Sequence, residues 1–323
     1  MLRNPLKIRK RLTSVDRSPL SWVGGVSVTM NRREFARMVA GTSLAVTFPH
    51  GHAQSSAPAK EQKFSVMLWT LEKQAPFDRC LEMVAAAGYQ GVELVGEFQK
   101  WSSDETSRVM AKMRSLGLVF DMLSGVKAGF GTADGTADFL AQVAAQMKAA
   151  KALESPQINL KSGSRTENLA AGAQHAACVE NLKRAADIAA ENHVQIVIEP
   201  IDPIESPTMY MTSVSEGFEI VRKVDSPYVR VLYDFYHEQR AAGNLIEKLE
   251  TNIELVGLVH IADVPGRNEP GTGEIDYPNI YRKLGQLKYN KFVTMEFYPT
   301  QDPIETLRKA RMEVQQTMGL TGL

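Results

Sequence analysis

The chain is short of cysteine, of net charge and of long apolar runs, and each shortage removes a class of protein. Only two cysteines, Cys80 and Cys178, occur in 323 residues, with no CxxC spacing, so a disulfide framework or a structural zinc knuckle is excluded. Both fall in helical patterns and read as small buried apolar residues. Lys plus Arg is 37 and Asp plus Glu is 37. A balanced chain of this kind lacks the basic face that holds a phosphate backbone, so nucleic-acid binding is not expected. No Gly-rich phosphate turn follows the first apolar run, and the GTG at 271–273 lies late in the chain and reads as a turn element. That argues against an open, dinucleotide-binding sheet.

The N-terminal residues read as a leader. NRREFAR, with Arg32, Arg33, Phe35 and Arg37, resembles the twin-arginine export consensus, and Met38–Phe48 is too short and too mildly apolar to span a bilayer. Gly51 and Ala53 supply the small residues of a cleavage site, so residues 1–53 are expected to be removed and the mature chain to begin near Gln54. Either Met1 or Met30 serves as the start. The expectation is a periplasmic or secreted protein handled by the twin-arginine machinery.

From Phe64 onward apolar runs alternate with amphipathic stretches. Strands are expected at 64–69, 91–95, 118–123, 157–161, 195–200, 229–235, 255–262 and 291–297. Helices are expected at 76–87, 104–116, 136–151, 167–192, 213–224, 243–252, 277–286 and 303–317. Glycines at 88 and 117 close two of these helices, and Ser213 and Asp302, the latter followed by Pro303, open two more. Eight strand–helix units joined by short connections specify an α/β fold, a (β/α)8 TIM barrel occupying 63–318 as one domain.

Four of the strands end on a possible metal ligand. QIVIEP ends on Glu199, VRVLYDFYH on Asp234 and His237, ELVGLVHIADV carries His260 and Asp263, and KFVTMEFYP carries Glu296. In a barrel, polar residues at the carboxyl ends of strands share one face. Glu199, Asp234, His260 and Glu296 then form a hard, mixed donor set suited to one divalent ion, Mn²⁺ or Mg²⁺, with Co²⁺ possible. Without a cation, three ionised carboxylates buried together would cost several kcal/mol, roughly. Glu205 and His237, just beyond their strands, are placed to reach a substrate hydroxyl. Arg267, in the loop after His260, is placed to clamp a carboxylate or oxyanion. The remaining histidines outside the leader, His175 and His193, read as surface residues.

WTLEKQAPFDRCLEMVAAAGYQGVEL, IEPID, YDFYH, HIADVPGRNEPGTGEIDY and MEFYP resemble the hydroxypyruvate isomerases of the xylose isomerase-like superfamily over about residues 63–312. The resemblance implies one divalent metal at Glu199, Asp234, His260 and Glu296, with Glu199 and Glu296 as an acid/base pair moving a proton through an enediolate. The substrate would be a small hydroxy-carbonyl compound or sugar. Hydroxypyruvate isomerases usually carry Gln at the position of His260, whereas ketose 3-epimerases of the superfamily carry His, and DFYH and Glu205 also resemble the epimerases. A ketose 3-epimerase, or an exported sugar-binding barrel without turnover, are the alternatives. A metal-dependent endonuclease would need more histidines and a basic groove. Self-association into a homo-oligomer is left open by the sequence.

Overall fold

The computed structural model describes residues 62–320, apart from residues 133 and 171. The leader lies outside the described residues. Eight parallel strands, β1 (Phe64–Met67), β2 (Gly91–Val95), β3 (Val119–Ser124), β4 (Gln157–Leu160), β5 (Gln195–Ile198), β6 (Val229–Asp234), β7 (Val256–Ile261) and β8 (Val293–Met295), close into a barrel in chain order. The expected TIM-barrel topology is therefore present. Its strands are mainly apolar because both faces are covered, and all six residues of β7 are buried. Met67, Met122, Val197, Leu232 and Leu258 fill the barrel interior as a small cluster. A larger core lies between the sheet and the helices.

Around the sheet run α1 (Phe77–Ala86), α2 (Ser103–Leu116), α3 (Thr136–Ala152), α4 (Ala173–Asn192), α5 (Val214–Val224), α6 (Phe235–Ala241), α7 (Leu245–Asn252), α8 (Tyr277–Gln286) and α9 (Pro303–Thr317). Ser213 caps α5 by accepting from Ser215 N–H, and Asp302 caps α9 by accepting from Glu305 N–H. Gly117 closes α2 at φ 67°, a left-handed turn that only glycine makes without strain. None of the described helices is long and apolar enough to cross a membrane.

Two expectations require correction. The helix anticipated from residue 167 starts at Ala173, because the chain first bridges from Ser164 to Met209 and turns at Gly172 with φ 79°. A helix not anticipated, α6, begins directly where β6 stops. Its seven residues, FYHEQRA, are too few to show a helical period, and it is started by Asp234, whose Oδ1 accepts from Tyr236 and His237 N–H.

Candidate metal and substrate site

Strand register brings the ligand candidates together. Asp234 pairs with His260 across β6 and β7, and His260 with Thr294 across β7 and β8, so neighbours at one level share a face. A register shift between Val231 and Leu232 sits just before Asp234, the kind of irregularity that re-aims side chains at barrel rims. Glu199 and Glu296 each stand one residue past their strands, tied by N–H donation to Leu160 O and Ile261 O. One ligand atom from each of Glu199, Asp234, His260 and Glu296 lies within 4.8 Å of the others, and all four residues are buried.

The chemistry of that cluster fits a cation. Asp234 Oδ2 is buried and accepts no hydrogen bond, and burial raises the Asp234 carboxyl above its ordinary range. His260 Nδ1 lies 2.8 Å from Glu296 Oε2. Burial opposes charging of His260, but Glu93 and Glu296 outweigh it and hold the imidazole well above its usual value. Burial likewise opposes the Glu296 carboxylate, and Arg267 and His260 outweigh it, holding that group well below its usual range. The site thus gathers positive charge from protons and arginine, where a divalent ion would serve the same carboxylates.

Arg267 is a buried residue, 8% exposed, held in a left-handed turn at φ 55°. Its guanidinium lies over the rings of Trp69 and Tyr236, 5.3 and 4.9 Å from their centroids. Nη1 donates to both oxygens of Glu205, and Nη2 lies 2.9 Å from Glu296 Oε2. His237 Nδ1 is 2.8 Å from Asp202 Oδ2. Arg240 Nη1 completes this group at 3.3 Å from Asp202 Oδ2. Asp202, Glu205 and His237 are close enough to suggest a second cation site, but the two arginines already neutralise the carboxylates. All three residues expected at the substrate, Glu205, His237 and Arg267, line one cavity of about 530 Å³ together with Glu199 and Glu296.

Asp263, at the seam of strand and loop, turns away from this cavity's chemistry and organises the loop instead. Its Oδ2 accepts from Gly271 and Gly273 N–H and its Oδ1 from Val264 and Ile275 N–H. The loop also contains a cis Val264–Pro265 bond. His193 is exposed, as expected, whereas His175 is partly buried against Lys223 and Glu216.

Sequence reasoning passed over the residues behind the ligands. Glu93, on β2, is fully buried and places Oε2 3.0 Å from His260 Nε2, without the alignment of a hydrogen bond. From Glu93 a chain of short contacts crosses the barrel core: Thr294 Oγ1 at 2.6 Å, Ser65 Oγ at 2.7 Å from Thr294, and Asp121 Oδ2 at 2.8 Å from Ser65. Two hydroxyls carry two hydrogens for three contacts, so the third comes from a carboxyl group. Burial and the nearby Glu93 push Asp121 well above its usual range, the direction expected of the group that holds that proton. A single charged residue inside each apolar run, GVELV and VFDML, was the available signal. Asn159, which donates to Glu199 Oε2 at 2.5 Å, was also passed over.

Known proteins resemble this chain in sequence and in fold. Hydroxypyruvate isomerase of Escherichia coli K12 is 29% identical over 242 residues, covering 73% of this chain and 93% of the relative. 2-Oxo-tetronate isomerase of Pectobacterium atrosepticum is 27% identical over 245 residues, covering 73% and 92%. The crystal structure of AP endonuclease, family 2, from Brucella melitensis superposes with a TM-score of 0.70 at 25% identity, covering 76% and 96%. Residues 81–316 match the family described as xylose isomerase-like TIM barrel, and this chain belongs to it.

Proposed function

We propose that the protein is a metal-dependent isomerase of a small hydroxy-carbonyl substrate, similar in reaction to hydroxypyruvate isomerase. The observation that carries this reading is the placement of two buried glutamates, Glu199 and Glu296, in one four-ligand cluster at the floor of a substrate-sized cavity. Relatives named hydroxypyruvate isomerase and 2-oxo-tetronate isomerase, each matched over nine-tenths of their length, support the reaction class. Glu199, Asp234, His260 and Glu296 would hold the ion, with Mn²⁺ or Mg²⁺ favoured by the three carboxylates and Co²⁺ next. Once bound, it supplies Lewis acidity that stabilises negative charge on the substrate's carbonyl and hydroxyl oxygens.

The chain's own residues do the rest. One glutamate removes a proton from the hydroxyl-bearing carbon beside the carbonyl; its return to the former carbonyl carbon, with the hydroxyl proton passing from one oxygen to the other, gives the isomer. Arg267, packed against the rings of Trp69 and Tyr236 and braced by Glu205, holds the loop wall and presents positive charge beside Glu296. His237, fixed by Asp202, faces the substrate's hydroxyls. A second reading, 3-epimerisation of a ketose, is favoured by His260 in place of Gln and by the Glu205, His237 and Arg267 trio; there, the opposing glutamate returns the proton to the original carbon from the other face.

Deuterium incorporation from D₂O into hydroxypyruvate and a panel of ketoses, with Mn²⁺, Mg²⁺, Co²⁺ or Zn²⁺ added, tests both. Metal-dependent exchange lost in Glu296→Gln is expected. Exchange into none of them, or a variant indistinguishable from the parent, sinks the reading and favours an exported sugar-binding barrel. We further propose export by the twin-arginine route, with the barrel folded before translocation. Fractionation of cells expressing the parent and the Arg32→Lys, Arg33→Lys variant decides this, with periplasmic protein expected only for the parent.

A further inference from the structure

Positive charge in the cavity is unevenly committed. Arg267 is engaged by Glu205 and Glu296, and His237 by Asp202. Three strands round the barrel, Lys161 follows the last residue of β4 and lines the same cavity with its side chain 43% exposed. Its Nζ stands 3.7 Å from Glu199 Oε2, beyond hydrogen-bond reach, and that oxygen already accepts from Asn159 Nδ2. Lys100, on the turn after β2, also lines the cavity and pairs with no carboxylate among the described residues. Of the remaining acids in the wall, neither Glu72 nor Glu97 forms an ion pair with either lysine among the described residues.

We propose that Lys161 determines substrate specificity by binding a carboxylate bonded directly to the reacting carbonyl carbon, with Lys100 adding a second positive charge in the same cavity. The proximity to Glu199 sets the class of ligand. An oxygen within about 3 Å of the ammonium sits only a bond or two from the atom that Glu199 serves, so an adjacent carboxylate reaches it and a phosphate at the far end of a sugar does not. A 2-oxo acid fits this wall, whereas a neutral ketose leaves Lys161 facing water.

The inference rests on the isomerase reading, and two compounds of one skeleton separate them. Hydroxypyruvate and 1,3-dihydroxyacetone differ only in a carboxylate against a neutral hydroxymethyl group. Deuterium exchange into each is measured for the metal-loaded full chain, Lys161→Met and Lys161→Arg. The ratio of kcat/KM for hydroxypyruvate over dihydroxyacetone is expected to fall on the order of 10- to 100-fold in Lys161→Met, as for loss of a hydrogen bond to a charged group, and to be largely restored in Lys161→Arg. An unchanged ratio, or equal losses for both compounds, overturns the proposal. If the parent exchanges neither compound, the isomerase reading fails and the subsite is judged by binding alone. Hydroxypyruvate, but not dihydroxyacetone, should then raise the melting temperature of the metal-loaded parent and not that of Lys161→Met; no such rise in the parent overturns the subsite as well.

Discussion

Glu93 Oε2 lies 3.0 Å from His260 Nε2, on the side of the imidazole away from Glu296, so His260 is gripped through both ring nitrogens by carboxylates from different strands. Partners that orient a ligating histidine typically contribute 10- to 100-fold in metal affinity, roughly. Glu93→Gln should therefore weaken Mn²⁺ binding by about that factor, measured by titration calorimetry, with the far-ultraviolet circular dichroism unchanged. Affinity equal to the parent's would show that Glu93 leaves His260 to find its own orientation.

Cation binding should stabilise the fold strongly, because the ligands converge only in the native barrel. At a free ion concentration a thousand times the dissociation constant the gain is about 4 kcal/mol. Chelation should lower the melting temperature of the parent and leave that of Asp234→Asn nearly where it stood. A parent whose melting is indifferent to chelator and to every divalent ion tried would leave the cluster without a ligand.

Asp121 gives a pH signature of definite sign. Its unfolded value is near 3.8, while burial first and Glu93 second lift the folded value well above that. Between the two, the native state keeps a proton that the unfolded chain has released, so this residue makes stability fall as pH rises from about 4 through the folded value. Asp121→Asn removes the effect. Urea midpoints across that range should show a flatter decline for the variant than for the parent, and parallel curves would disprove the shared-proton assignment.

Gly273 has no space for a side chain. A Cβ there would stand 2.0 Å from Val264 O and 2.6 Å from Asp263 Oδ1. Gly273→Ala should cost roughly 1–3 kcal/mol, as other overpacking changes do, and raise KM by displacing Arg267. Unaltered urea midpoint and KM together would mean that the loop adapts without consequence.

The barrel could be read from the sequence because every strand is a buried apolar run and most of the helices carry a cap or an amphipathic face, signals that are local. The candidate cluster could be picked out for a related reason: Glu199, Asp234, His260 and Glu296 interrupt or end apolar runs where a barrel has its mouth. What stayed hidden depends on contacts distant in sequence. Glu93 and Asp121 look like ordinary strand residues until β2 and β3 curve toward β7 and β8, and the 201-residue separation of Glu93 and Thr294 leaves no local trace. Arg267 reads equally well as a solvated loop residue, and only its packing against the rings of Trp69 and Tyr236 makes it part of a wall. The helix α6 escaped because an aspartate that faces the ligand cluster also starts it, and one residue with two tasks has no distinctive pattern.

Asp263 gives the segment from Val264 to Ile275 a common anchor: four backbone N–H groups close on one carboxylate. Such a hub separates the shape of the segment from most of its side chains. Residues on its outer turn can be exchanged to suit a differently sized ligand while the spokes to Asp263 keep Arg267 on station. The same design concentrates risk, since neutralising or shortening that one carboxylate weakens the hold on four backbone N–H groups at once.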